Sequence, residues 1–582
     1  MAGWCRSWGI SLFGDASGAG RRVFQSGFNR NGTCARARRV GRRLRQDRPA
    51  AERPRCGVCR SFNPTADAAH VPDPAAPVAP CPVPARPPLP EGGRSQRWAG
   101  GCRTRVGLPV TTPDVVIVGA GIAGLSCAVR LADAGLAVSV VESSEVPGGR
   151  ARSWSDPVMG DSVDIGPHIL LNQYANMRAL LERLGTADQV LWQTEELLTV
   201  FDRGRSMHFK VGGLPAPLHF ARNLPRVLPS VPLPDLLSNT RLAWRTLRST
   251  GPELMKLDAL SGREHLRRCG VSEFFIDWFW ASAAIAILAV PVERCSAASL
   301  MRLLGQALGH DDIAFGLPKV GLSDLYAWPA IEFIRRRGGE VRLGCGVEGL
   351  LRGPGRVTGV RLADGTGVET PAVVLAVPPT AIAPLLPADH ALARTARSFQ
   401  PSPYISCYLW FDRPITDTRF WARPWCPEGF NTDFYDLSNI RPATRGGALI
   451  ASNIIWSGRV EALSDEAIVE ATRREIAGFA PRAQRAQLLS ASVHRIPMAI
   501  PAAFPGTETA RPQTRVERGL WLAGDWVDTA LPFCMESATR AGALAAEGVL
   551  AERGVRRRLA LPPPRPGGLA RWLRSGQPGE DF

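Results

Sequence analysis

The chain has 582 residues, enough for several domains and a large core, with 70 Lys+Arg against 53 Asp+Glu and a formal charge of +17. That charge sits at the ends: residues 1–110 hold 19 Arg, no Lys and 6 acids, and residues 553–582 hold 7 Arg and 2 acids, which leaves −1 for residues 111–552. A core so nearly neutral excludes a surface built for nucleic acid, and 67 Arg against three Lys points to a GC-rich coding sequence rather than to a binding task.

Residues 1–110 are rich in Arg, Pro, Ala and Gly and lack helical or strand periodicity. They are expected to be a disordered extension, with the natural start of the protein near Val106 or Val110. No apolar segment of signal-peptide length is present among them. Cys56 and Cys59 have metal-like spacing, but no second pair follows, so no metal site is expected. The remaining cysteines are scattered singly, which suits a reducing, cytoplasmic compartment.

Residues 113–153 carry the strongest pattern. An apolar strand, Val115 to Val118, runs into Gly119, Gly121 and Gly124 in G-x-G-x-x-G spacing, then a helix, then a second apolar strand ending at Glu142. The first glycine permits a tight turn, the second admits a pyrophosphate to the backbone, and the third lets helix and strand pack closely. The helix N-terminus faces the phosphates, and Glu142, 18 residues beyond Gly124, is placed to accept from a ribose hydroxyl. Strand, glycines, helix, strand and acid in register predict a dinucleotide site. No second glycine fingerprint marks a nicotinamide domain.

Farther along, residues 214–235 mix Leu, Val and Phe with repeated Pro, and read as a membrane-facing entrance or a Pro-rich excursion. The most apolar run, Trp278 to Val292, has 15 residues, short of the roughly 20 that span a bilayer. It reads as a buried core helix or as the wall of a lipid tunnel. Phe274, Phe275, Trp278, Phe279 and Trp280 cluster at its start.

Three separated segments then narrow the dinucleotide. Pro147-Gly148-Gly149-Arg150-Ala151-Arg152 resembles the G-G-R-x-x-S run of flavin enzymes in the amine oxidase and carotenoid desaturase superfamily. Gly339 to Val347, Gly359 to Gly365 and Val373 to Pro378 resemble its strand-rich segment over the adenine side. Gly519-Leu520-Trp521-Leu522-Ala523-Gly524-Asp525-Trp526 resembles its C-terminal flavin motif, and the helix after Leu531-Pro532 is the one that points at the ring. Ser537 stands where that family usually has Gly.

Residues 113 to about 552 are therefore similar to the FAD-dependent amine oxidase superfamily, in its isoprenoid desaturase branch. The runs Asp164-Ile-Gly-Pro-His168, Gly213 to His219, Gly321 to Tyr326, Trp410 to Pro414 and Gly524-Asp525-Trp526 most resemble hydroxysqualene dehydroxylases. The resemblance implies an α/β fold, a Rossmann-like FAD-binding domain interleaved with an α+β substrate domain. The expected parts are FAD-binding 111–200, 317–385 and 511–552, substrate 201–316 and 386–510, and a basic flexible tail 553–582. It adds Gly148, Gly149, Arg150, Val347, Gly524, Asp525 and Met535 to the cofactor contacts.

The implied chemistry is hydride transfer between flavin N5 and an apolar isoprenoid, either removal of an allylic hydroxyl from hydroxysqualene or phytoene-type desaturation. An external electron donor or acceptor and peripheral contact with the inner face of the membrane follow from it. His168 and Glu536 are the candidate acids or bases. Each also reads as structural: His168 as a hydrogen-bonded histidine, Glu536 as a carboxylate that positions the cofactor. Asp277 is a weaker candidate, since an acid beside an apolar run usually lies at the surface. Cys534 occupies a small packing position, so FAD is expected to bind non-covalently. The residues before the last helix offer only Phe533 toward an aromatic amine cage, and all five tyrosines lie well before it in the chain, which speaks against an amine oxidase. A non-catalytic FAD-stabilised binding protein carries the same fingerprint.

Overall fold

Val115–Val118 (β1) is β-branched and apolar throughout and buried along its length, as a strand covered on both faces must be. The helix Ile122–Asp133 (α1) carries it across to Val138–Val141 (β2), which pairs with β1 in parallel. Glu340–Arg342 extends this sheet beyond β2, and Val373–Leu375 and Leu520–Leu522 extend it beyond β1, all in parallel. Arg515–Glu517 closes the edge antiparallel. Helix Met535–Glu552 packs against α1, where a Cβ on Gly542 would meet the α1 backbone. An antiparallel hairpin, Val347–Gly353 with Arg356–Leu362, stands on this layer.

The computed structural model describes residues 112–574 apart from 211, 250, 428 and 442–446, all within the unit Gly57–Phe582. The Arg- and Pro-rich stretch 1–110, with its Cys56–Cys59 pair, lies outside the described residues, as do residues 575–582.

A second sheet has seven strands in the order 488–501, 401–411, 448–455, 433–436, 420–422, 198–202 and 205–209. All its pairings are antiparallel except that of 420–422 with 198–202. Alternation decides its two faces. Ile405, Cys407, Leu409, Phe411, Phe434 and Ile450 form the apolar face, covered by Ile468 and Ile476 of helix Asp465–Phe479. Helices between residues 218 and 309 form a third body beside it. The strand Leu198–Asp202 already belongs to the seven-stranded sheet, so this sheet begins a few residues before the expected boundary at 200.

The basic C-terminal segment departs from the flexible tail expected of it. Leu559 and Ala560 donate to Glu547, Leu561 donates to Asn176 at 2.8 Å, and helix Gly568–Arg574 docks with Ala570 N–H on the Ala216 carbonyl at 3.0 Å. Ala570 and Leu573 pack with Ala216, Leu247 and Leu308. Short apolar side chains between arginines hold it there; net charge alone does not report that.

Candidate active site

The β1–α1 turn has the shape a pyrophosphate needs. Gly119 sits at φ +108, and a Cβ there would lie 2.6 Å from the Ala376 carbonyl oxygen. Gly121 caps α1 with no side-chain bond, so the first N–H groups of the helix point outward, and a Cβ on Gly121 would meet nothing within 4 Å. Gly124 lies hard against the Gly119 carbonyl, which is the close helix–strand packing its spacing predicts. Glu142 follows β2 with one oxygen accepting from Ala120 N–H at 2.8 Å and the other from Ser144 N–H at 2.9 Å, so its side chain is held in place beside the turn. Cys345 N–H donates to the Glu142 carbonyl at 2.8 Å, which brings the hairpin start at Val347 close to the same acid.

Gly148 and Gly149 both have positive φ, and Gly148 N–H donates to Ala120 O at 2.9 Å, laying this turn across the first. Arg150 reaches over to Asp525 in a two-point ion pair at 2.6 and 3.2 Å and also donates to Ala499 O at 3.2 Å. Two motif residues 375 positions apart are thus joined directly. These residues fit FAD: glycines without side chains line the turn, a helix N-terminus faces it, and a fixed carboxylate stands at the ribose distance in sequence.

The loop from Gly524 to Cys534 is held from beneath by an ion network that the sequence reading missed. Arg511 is fully buried and donates to the carbonyls of Asp525, Val527 and Leu531 and to Ser537 Oγ. Glu508 pairs with Arg511 at 3.1 Å and also with Arg302. Ser537 donates to Asp525 O at 2.9 Å. The hydroxyl that departs from the family pattern therefore ties this loop together.

Met535 opens the last helix and is buried. Cys534 caps it, accepting from Ser537 N–H at 3.4 Å, and burial pushes its thiol up to about 11. Glu536 turns away along the helix: one oxygen accepts from Asn176 N–H and Asn176 Nδ2 at 2.9 and 2.7 Å, the other from Met177 N–H at 2.9 Å. It thereby caps the helix Ala175–Leu184 (α2). Asp277 is an exposed partner of Arg263.

Across from the cradle lies the inner face of the seven-stranded sheet. Register puts Tyr404, Ser406 and Tyr408 beside Ile455, Asn453 and Ala451, and these beside Asp433 and Tyr435. Segment 164–168 links the sheet to the cradle. Ile165 N–H donates to Arg152 O at 2.9 Å, Tyr408 hydroxyl donates to Asp164 O at 2.7 Å, and a Cβ on Gly166 would stand 3.0 Å from Ser406 Oγ. His168 is half-buried, with Nδ1 bonded to Gly166 O at 2.6 Å. Burial lowers its pKa, against the pull of Gly166 O, Asp164 and Asp433, so the ring is neutral. Asp433 is buried, accepting from Thr432 Oγ1 at 2.7 Å and Asn453 Nδ2 at 3.1 Å.

An apolar wall adjoins this polar patch: Ile285 and Ala289 pack with Tyr404, Trp425, Ile455, Trp456 and Ile500. Residues 276–280 and 284–288 are π-helical, and Ala289 has φ +56. Such turns rotate one residue set out of helical step. Phe275, Trp278 and Trp280 go into the core, Trp278 bonding Asp202 and Trp280 bonding Asn239, while Ile285 and Ala289 reach Tyr404. Asp433, Tyr404 and Tyr435 escaped the sequence reading, because only the register of distant strands unites them. Distance along the chain also misjudged the tyrosines, since burial beside Cys534 raises the Tyr174 hydroxyl pKa.

The 15-cis-phytoene desaturase of Solanum lycopersicum is 28% identical over 491 residues, covering 76% of this chain and 78% of that protein. Hydroxysqualene dehydroxylase of Sinorhizobium fredii is 26% identical over 455 residues, covering 75% and 99%. A solved structure of wild-type putrescine oxidase bound to putrescine has a TM-score of 0.59 at 18% identity, covering 76% of this chain and 99% of that one, a likeness of fold alone. Residues 122–550 match the flavin containing amine oxidoreductases, and the chain belongs to that family.

Proposed function

We propose that this flavin-dependent oxidoreductase removes the allylic hydroxyl of an apolar isoprenoid alcohol, hydroxysqualene, to give squalene. The observation that carries the reading is a buried acid with tyrosines on one sheet face, His168 beside them on the covering segment 164–168, bordered by an apolar aromatic wall and tied to the flavin cradle through that segment. Leaving of a hydroxyl needs a proton beside an otherwise dry chamber, and such a face supplies it. Bound reduced FAD supplies the hydride. The cradle residues Gly119, Gly121, Gly124, Glu142, Gly148, Gly149, Arg150, Val347, Gly524, Asp525 and Met535 hold the cofactor without a covalent bond. His168 is the proton-exchanging group and Glu536, anchored on α2, is a positioning carboxylate.

Aromatic walls tolerate transient positive charge near the substrate. Leu218, Phe220, Leu228, Leu233, Leu237 and Trp244 are exposed on the helical body among Arg222, Arg226, Arg241, Arg245 and Arg248. They suit contact with an anionic lipid surface from which the substrate is drawn. Among the described residues no helix is long and apolar enough to cross a membrane.

The phytoene desaturase relatives support a second reading, dehydrogenation of a polyene by oxidised flavin with an external acceptor. Detergent-solubilised enzyme offered hydroxysqualene under reducing conditions and phytoene under oxidising ones separates the two. Squalene from the first alone supports dehydroxylation; a dehydrogenated polyene from the second alone replaces it. Oxidation of a polar amine, with both lipids inert, removes the isoprenoid reading.

A further inference from the structure

We propose that Asp433 is the acid that protonates the departing hydroxyl, with His168 returning the proton to it. The assignment rests on the dehydroxylation reading and names the residue that would perform its first step. Buried acids elsewhere among the described residues have evident structural partners. Asp164 pairs with Arg441, Asp525 with Arg150, and Glu508 with Arg302 and Arg511. Glu536 caps α2, and Asp436 caps a turn at Ser438 on the sheet's other face. Asp433 has no cation. Its side-chain partners are neutral donors, Thr432 Oγ1, Asn453 Nδ2 and the Tyr435 hydroxyl.

An acid buried without a cation stays protonated more readily than one in water. Burial raises the Asp433 pKa; Thr432, Tyr435, Asn453 and His168 only partly oppose this. The groups facing it are Thr432 and Tyr435 on its own strand, Asn453 on the adjacent strand, Tyr404 one strand farther, and His168 on the covering segment. None is a fixed positive charge. Tyr404 is at once a neighbour of Asp433 and part of the apolar wall, so this carboxyl lies where the polar patch meets that wall.

The step balances. The Asp433 O–H bond breaks, its proton joins the hydroxyl oxygen, the allylic C–O bond breaks, and water leaves. Reduced FAD, when bound, would supply the hydride that quenches the allylic cation and would itself be oxidised as the substrate is reduced. Asp433 is left as a carboxylate. His168 faces a cavity of about 10 Å³, room for one water, lined also by Asp164, Tyr435 and Arg441. With Nδ1 fixed on Gly166 O, Nε2 is the ring atom that takes a proton from this side and passes it on.

The test uses full-length, flavin-loaded enzyme. Infrared spectra at neutral pH should show a protonated-carboxyl C=O stretch that Asp433→Asn removes. That variant should keep its flavin and melting temperature and lose about 10²–10⁴-fold in hydroxysqualene turnover. Turnover of the wild type should fall as the pH rises through the raised pKa of Asp433. Asn453→Leu removes a donor that favours the carboxylate, so this alkaline limb should move to higher pH, a readout that survives if Asp433→Asn does not fold. Wild-type turnover with an unaffected Asp433→Asn variant overturns the assignment alone, as does an alkaline limb unmoved in Asn453→Leu. A wild type inert toward hydroxysqualene overturns the dehydroxylation reading, and this assignment with it.

Discussion

Gly121 shows how much one missing side chain decides. A Cβ there meets no protein atom, yet it would project from the cap of α1 into the path of an approaching pyrophosphate. Gly121→Val is expected to fold and to lose most of its flavin, read as flavin absorbance per folded chain; normal occupancy would place the cofactor elsewhere. Glu142→Ala should weaken binding by about 1.5–3 kcal/mol, since it removes a charge-assisted acceptor. Cys534 acts by what it does not do. Its thiol, pushed up to about 11, is protonated at neutral pH and unreactive as a nucleophile. Acid precipitation should therefore release intact FAD into a yellow supernatant, whereas a pellet that stays yellow would indicate a covalent link.

At the scale of elements, the loop 524–534 depends on a buried ion network contributed by neighbouring segments. Burial pushes the Glu508 carboxyl up, but Arg511, Arg302 and Ser299 outweigh that and hold its pKa below the usual glutamate value. A depressed acid contributes stability that is complete above the unfolded pKa, about 4.3, and is lost as the pH falls through the lowered folded value. Melting temperature should fall with acid across that window. Glu508→Gln should be about 3–5 kcal/mol less stable at neutral pH, because two guanidiniums lose their buried counter-charge, and its acid decline should be shallower. Equal acid sensitivity in both proteins would show that other carboxylates govern the decline. The docked helix Gly568–Arg574 and the cap that Glu536 forms on α2 belong to the same scale: both fasten segments far apart in sequence.

At the scale of the molecule, the cradle was legible because it is local. The turn at Gly119–Gly124, the acid at Glu142 and the pair at Gly148–Gly149 obey backbone rules that short spacings express. The opposing face was not, because Tyr404, Asp433 and Asn453 meet only through strand register, and His168 reaches them only through a covering loop. Arg511 gave no signal either; among 67 arginines a buried one looks like any other. Residues 1–105 carry charge without periodicity and precede the family match at 122. Their deletion should leave flavin content and melting temperature unchanged, and a large loss in either would give them a role in the core. The proposed function turns on one reaction, reduction of an isoprenoid alcohol by a flavin. Its most direct test is a single anaerobic turnover of pre-reduced enzyme with hydroxysqualene, following product and flavin absorbance together. One squalene per flavin reoxidised, at one shared rate, is expected; squalene without reoxidation, or no squalene while flavin stays reduced, would rule this reaction out.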